Sequence, residues 1–166
     1  MDTPKAPKPS EPHFDWNRFS SYVIESYGSF ENPKYFFTHQ WFKEQKYPDM
    51  LEFIKENYLF SEDTEPNTDI SYGFILKKGK DEAVLQVSLV GPYFYLASIF
   101  SDGSQSEPEY DLTSTDFRLP LLEYMREAGF TFTPITALRK KILFGGESLS
   151  AYAILYCYED EPSWIK

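Results

Sequence analysis

Residues 83–101 read AVLQVSLVGPYFYLASIFS, nineteen residues without a charge. On length alone such a run could cross a bilayer as a helix. Its internal period points elsewhere. Ala83, Leu85, Val87 and Leu89 share one face, while Glu82, Val84, Gln86, Ser88 and Val90 share the other, which is partly polar. This two-residue alternation belongs to a half-buried strand. Gly91-Pro92 interrupts it, because Pro92 has no amide to offer a continuing ladder. Tyr93, Tyr95, Ala97 and Ile99 then alternate with Phe94, Leu96, Ser98 and Phe100, so the second half reads as a strand covered on both faces. A bilayer helix centred on Gly-Pro and holding Gln86, Ser88 and Ser98 is the poorer reading.

Upstream, Ile70, Tyr72, Phe74 and Leu76 alternate as a further strand, and Lys78-Gly79-Lys80-Asp81 predicts a hairpin turn. The three strands form an antiparallel meander. The first third of the chain reads as helical. Asp15 is a good N-cap, followed by Trp16, Phe19, Val23 and Tyr27 at helical spacing and by Gly28 as a stop. Asn32-Pro33 repeats the start signal for a helix carrying Phe36, Phe37, Gln40 and Trp41, and Pro48 opens a third with Met50, Leu51, Ile54 and Tyr58.

After the meander, a helix is expected around Leu119 to Ala128, stopped by Gly129. Residues 130–135 suit a fourth strand, 136–144 fit either a short helix or a strand, and Ser150 to Tyr158 reads as a last strand. The expected architecture is therefore α+β. N-terminal helices pack on one face of an antiparallel sheet of four to five strands built around the meander. Residues 1–13, with four prolines, read as a disordered tail, and 14–166 as a single globular domain.

Composition narrows the function. The aromatic share is 19%, enough to fill a core and still place rings on a partner surface. The single cysteine, Cys157, has no internal disulfide partner and lies in an apolar stretch, and the N-terminus lacks the apolar core of a signal peptide; both suit a soluble, cytoplasmic protein. The net charge of −10 is concentrated in loops. SEDTEPNTD at 61–69 reads as a polar loop, and DGSQSEPEYDLTSTD at 102–116 carries Asp102, Glu107, Glu109, Asp111 and Asp116 with no lysine or arginine. An acidic loop steers a basic partner and repels nucleic acid, although it also serves solubility. Tyr110, between Glu109 and Asp111, is the candidate anchor. Arg139-Lys140-Lys141 is too small a basic patch for nucleic-acid binding.

Catalytic and metal motifs are missing from the sequence. His13 and His39 are the only histidines, no Cys/His metal spacing occurs, and no D-x-[DN]-x-[DN]-G calcium loop is present. Gly146-Glu147-Ser148-Leu149-Ser150 lacks the second glycine of a nucleophile elbow. Paired carboxylates such as Glu107 and Glu109 lie in what reads as a mobile loop, poor ground for acid–base geometry. No catalytic residue, cofactor or metal is expected.

The motif Leu89-Val90-Gly91-Pro92-Tyr93-Phe94-Tyr95, within the aromatic-rich pattern of residues 70–158 and the late segment Ala151 to Tyr158, resembles immunity proteins of bacterial polymorphic-toxin systems. The resemblance implies inhibition by stoichiometric binding to a cognate toxin domain, often a basic nuclease, and it carries over no binding residue. Asp102, Glu107, Glu109, Tyr110, Asp111 and Asp116 are the candidate contact residues from the charge reading. An adaptor or scaffold domain, or an enzyme whose site is assembled from scattered residues, are the alternatives.

Overall fold

The computed structural model describes residues 13–157, 159 and 161–165. The Pro-rich tail, save His13, therefore lies outside the described residues, as does Tyr158 at the end of the expected last strand.

Helix α1 (Trp16–Tyr27) starts and stops where its punctuation says. The Asp15 carboxylate accepts from the Arg18 amide at 3.0 Å, and Gly28 ends the helix with its amide on the Ile24 carbonyl. Phe19, Val23 and Tyr27 form its buried stripe. Helix α2 (Phe37–Glu44) begins later than Asn32-Pro33 suggested. The Ser29 hydroxyl accepts the Asn32 amide at 2.9 Å, and Lys34 donates back to the Tyr27 carbonyl, so these residues wrap the end of α1. Phe37 is buried, whereas Phe36 is 71% exposed. Helix α3 (Pro48–Asn57) opens on its proline and buries Met50 and Ile54.

Strand β1 (Leu59–Glu62) is the first correction. Ser61 and Glu62, read as loop, pair in register with Ile75 and Phe74 of β2 (Ser71–Lys78). β1 is an edge strand in which only Phe60 turns towards the core, so its sequence shows no alternation. The meander follows as expected, with β2 antiparallel to β3 (Asp81–Ser88) and β3 to β4 (Tyr93–Ile99). Helix α4 (Leu119–Glu127) then carries the chain to β5 (Thr131–Phe132), which lies parallel to β4 because a helical crossover returns it in the same direction. The five-stranded sheet has the order β1-β2-β3-β4-β5, and the fold is α+β.

The segment left open at 136–144 is both alternatives in turn: α5 (Ile135–Leu138), then β6 (Lys141–Phe144). β6 pairs with β7 (Glu147–Ser150) across Gly145 and Gly146, whose φ of +61° and +81° allow a two-residue turn.

The expected last strand is overturned. Residues Ala151–Leu155 form helix α6, capped by Ser150, whose hydroxyl accepts the Ala153 amide at 3.1 Å. All five residues are buried, so helix and strand periods were indistinguishable in the sequence. α6 lies over the polar face of the sheet. Register places Tyr72, Phe74, Leu76, Ala83, Leu85, Val87, Phe94 and Leu96 on the apolar face, where Phe42 of α2 meets Tyr72. Phe53 and Tyr124 stack at 4.1 Å to join α3 to α4. The other face holds Ser71, Gln86, Ser88 and Tyr95. Ser88 donates to the Leu155 carbonyl at 2.7 Å, Ser71 to that of Tyr156 at 3.1 Å, and Gln86 to the Tyr152 hydroxyl at 3.3 Å. A last 3-10 turn (Ser163–Ile165) brings Trp164 against Tyr95 at 5.7 Å.

The Gly91-Pro92 link between β3 and β4 is pinned by α1. Ser26 donates to the Val90 carbonyl at 2.8 Å, and the Tyr22 ring lies where a side chain on residue 91 would go. A Cβ on Gly91 would stand 2.7 Å from Tyr22 Cγ. Gly91→Ala is expected to destabilise the fold by about 1–3 kcal/mol. In a Tyr22→Ser background the glycine should become replaceable at little cost, because the ring it avoids is gone. Urea denaturation of the single and double variants measures this coupling.

Candidate functional site

Residues 100–118 connect β4 to α4, and they are anchored along the sheet instead of looping free. The outer edge of β4 offers carbonyls at every second residue, and two separate segments take them. Thr131 and Thr133 donate to Pro92 and Phe94 at 2.7 and 2.9 Å. Glu109 and Ser106 then donate to Leu96 and Ser98, each at 2.8 Å. Where the two-residue β5 runs out, the acidic segment completes the edge. The Ser106 hydroxyl accepts the Ser98 amide at 2.8 Å, and a bridge joins Ile99 to Gln105. The expectation of a mobile loop fails here for that reason: its backbone substitutes for a missing strand.

The six candidate residues separate into two groups. Glu109 and Asp116 turn inward onto Arg118, whose side chain is 5% exposed. Arg118 Nη2 lies 2.9 Å from Glu109 and 2.7 Å from Asp116, and its Nε donates to Asp116 at 2.9 Å. Burial alone would raise the Glu109 carboxyl, but hydrogen bonds from Arg118, Ser106 and Ser98 outweigh it and hold it below the ordinary value. The Arg118 hydrogen bonds hold the Asp116 carboxyl down as well. These two acids brace the segment, and Arg118 offsets one of their two charges.

Asp102, Glu107 and Asp111 are exposed. Asp102 accepts from the Ser104 hydroxyl and amide in a tight turn, and the hydroxyl bond lowers its carboxyl pKa. Glu107 stands 3.7 Å from Arg139, the first residue of the small basic run. Tyr110 is half-buried, packed on Phe132 at 5.1 Å, with Arg126 donating to its hydroxyl at 2.9 Å. It is a wall where a projecting anchor was expected.

That wall belongs to a cleft of about 590 Å³ between residues 105–111 and the C-terminal turn, with Phe100, Tyr110, Phe132 and Trp164 among its lining and Glu107 and Asp111 at its rim. Sequence reading missed Phe100, Phe132, Trp164 and Arg118. Arg118 had a local signal, being the first cation after thirty-seven residues without one, 81–117, and two positions from Asp116. Phe132 and Trp164 had none, since tertiary folding alone brings them to residue 110.

A second, polar cleft of about 400 Å³ includes Asp63, Asp69, Gln86, Tyr152 and Cys157. Burial raises the Asp69 carboxyl there, against hydrogen bonds from the Glu65 amide and Cys157. His39 lies beside a shallower depression near Phe36. Among the described residues no group of three or more His, Cys, Asp or Glu is placed to hold a metal ion, and no helix is long and apolar enough to cross a membrane.

Fold and site together describe an α+β domain with an anchored acidic segment beside an aromatic cleft. Comparison with protein-family models, with curated proteins and with solved structures finds no match to this chain in any of the three.

The Arg118 cluster makes stability depend on pH. Both carboxyls titrate lower when folded than when unfolded, so their contribution is complete above the ordinary carboxylate range, about pH 4. It is lost as pH falls through their depressed values. Asp69 acts oppositely: with its pKa raised, it favours the fold below the ordinary value, and that contribution is lost as pH rises through the raised one. Arg118→Met is expected to cost about 2–3 kcal/mol, less than a fully buried pair because Glu109 keeps contact with water. The Glu109→Gln/Asp116→Asn/Arg118→Met triple variant should recover part of that and flatten the acid limb of the melting temperature, measured by calorimetry from pH 3 to 7.

Proposed function

We propose that this chain is a non-catalytic protein-binding module that captures a basic protein stoichiometrically, in the manner of the immunity proteins it resembles. The observation that carries the reading is the placement of Asp102, Glu107 and Asp111. Three exposed carboxylates flank the points, Ser106 and Glu109, at which the segment is hydrogen-bonded to β4, with no lysine or arginine between residues 102 and 116. Charge on an ordered segment steers association and is retained on binding without the entropy cost of fixing a loose loop. Phe100, 54% exposed at the start of this segment, adds an apolar contact beside the charge. A single cysteine suits action in the reducing cytoplasm, which we propose as the compartment.

A second reading, an enzyme, rests on the polar cleft around Asp69, Tyr152 and Cys157, where a carboxyl is raised by burial. It requires Asp69→Asn to abolish a turnover, whereas the binding reading requires that variant to capture its partner unchanged.

The test begins with capture from an extract of the source cells at low ionic strength, identification of the retained protein, and stopped-flow association. Asp102→Asn/Glu107→Gln/Asp111→Asn is expected to slow association about tenfold or more at low salt, with the difference closing at high salt. Its melting temperature should stay close to wild type, because an amide oxygen at position 102 still accepts from Ser104 and the Glu107–Arg139 contact is exposed. Failure to retain any protein in a one-to-one complex, or an association rate indifferent to the three substitutions, overturns the proposal.

A further inference from the structure

The cleft beside residues 105–111 has a lining that selects its occupant. Four aromatic rings, Phe100, Tyr110, Phe132 and Trp164, form its apolar walls, and Glu107 and Asp111 stand at the rim. No lysine or arginine is among the lining residues. Aromatic faces and carboxylates both attract a cation. The chain already shows this chemistry at the border: the Arg126 guanidinium lies 5.4 Å from the Tyr110 ring centre. Arg139 stands 3.7 Å from Glu107 while its Nε donates to the Trp164 carbonyl at 2.5 Å, so it can keep that anchor when an incoming cation takes over Glu107.

Trp164 is 8% exposed and contributes ring surface to the lining. A cation that fits such walls is offered by one residue of a basic peptide segment. Arginine suits it better than lysine, because a planar guanidinium stacks on rings and forks onto carboxylates, and is less strongly hydrated than an ammonium.

We propose that the cleft receives an arginine side chain of the partner protein, its guanidinium held between the aromatic walls and the carboxylates of Glu107 and Asp111. This rests on the reading of the chain as a binder of basic proteins and names the residue it would recognise.

The probe is N-acetyl-arginine N-methylamide, titrated into the full chain and followed through the indole N–H resonances, with Trp164 assigned from Trp164→Phe. The Trp164 resonance is expected to shift saturably, with affinity about tenfold weaker in Glu107→Gln/Asp111→Asn. The citrulline analogue, equal in shape and neutral, should leave it unmoved. An unmoved resonance with the arginine amide, or an equal shift with citrulline, overturns the proposal. Failures of the two readings are separable. Arginine-amide binding without any retained partner protein keeps the cleft site and removes the binder reading. A partner captured equally by wild type and by Phe100→Ala/Asp111→Asn, both substitutions at exposed positions, keeps the binder reading and removes the cleft.

Discussion

Helix α6 is five residues long and wholly buried, and a helix leaves its last carbonyls without partners inside itself. Four groups outside it supply the missing donors. Tyr27 of α1 gives its hydroxyl to Ile154 at 2.6 Å, and Ser88 of β3 gives its own to Leu155. The Ile70 amide and the Ser71 hydroxyl both reach Tyr156, at 2.8 and 3.1 Å. This one requirement ties the first helix, the polar sheet face and the C-terminal segment into a single body. It also accounts for the polar residues of the uncharged run: Gln86 and Ser88 are there to meet a helix, and an apolar face could not have done so.

The same arrangement positions the candidate site. With α6 seated, Tyr152 and Tyr156 pack on Tyr95, and the turn that follows sets Trp164 against the same ring. On the other side of β4, Phe94 and Phe132 meet at 5.7 Å and carry Tyr110 with them. β4 is thus the shared support of the cleft's aromatic walls and, through its outer carbonyls, of the acidic segment beside them. Arg118 then decides how much of that segment's charge faces outward. By holding Glu109 and Asp116 inward it offsets one of their two charges and leaves Asp102, Glu107 and Asp111 as the exposed set.

Much of the α+β architecture was legible from local signals. Two-residue alternation marked β2, β3 and β4, and the Asp15 cap, Pro48 and the stops at Gly28 and Gly129 marked helix limits. What escaped had no local signature. β1 shows one side chain to the core, the parallel direction of β5 depends on a crossover, and residues 151–155 are buried on every side so that no period distinguishes helix from strand.

By itself the sequence determined the class of fold, the meander with its Gly91-Pro92 link, and the concentration of acid between residues 102 and 116. It could do so because alternation, capping and charge are properties of neighbours in the chain. Only the tertiary structure decided which of those acids face water, that their segment is held to β4, and that rings from residues 100, 110, 132 and 164 share one cleft. Those outcomes depend on Arg118, on unfilled carbonyls of a distant strand edge, and on a buried helix needing donors, and each is a contact between residues that adjacency in sequence does not relate.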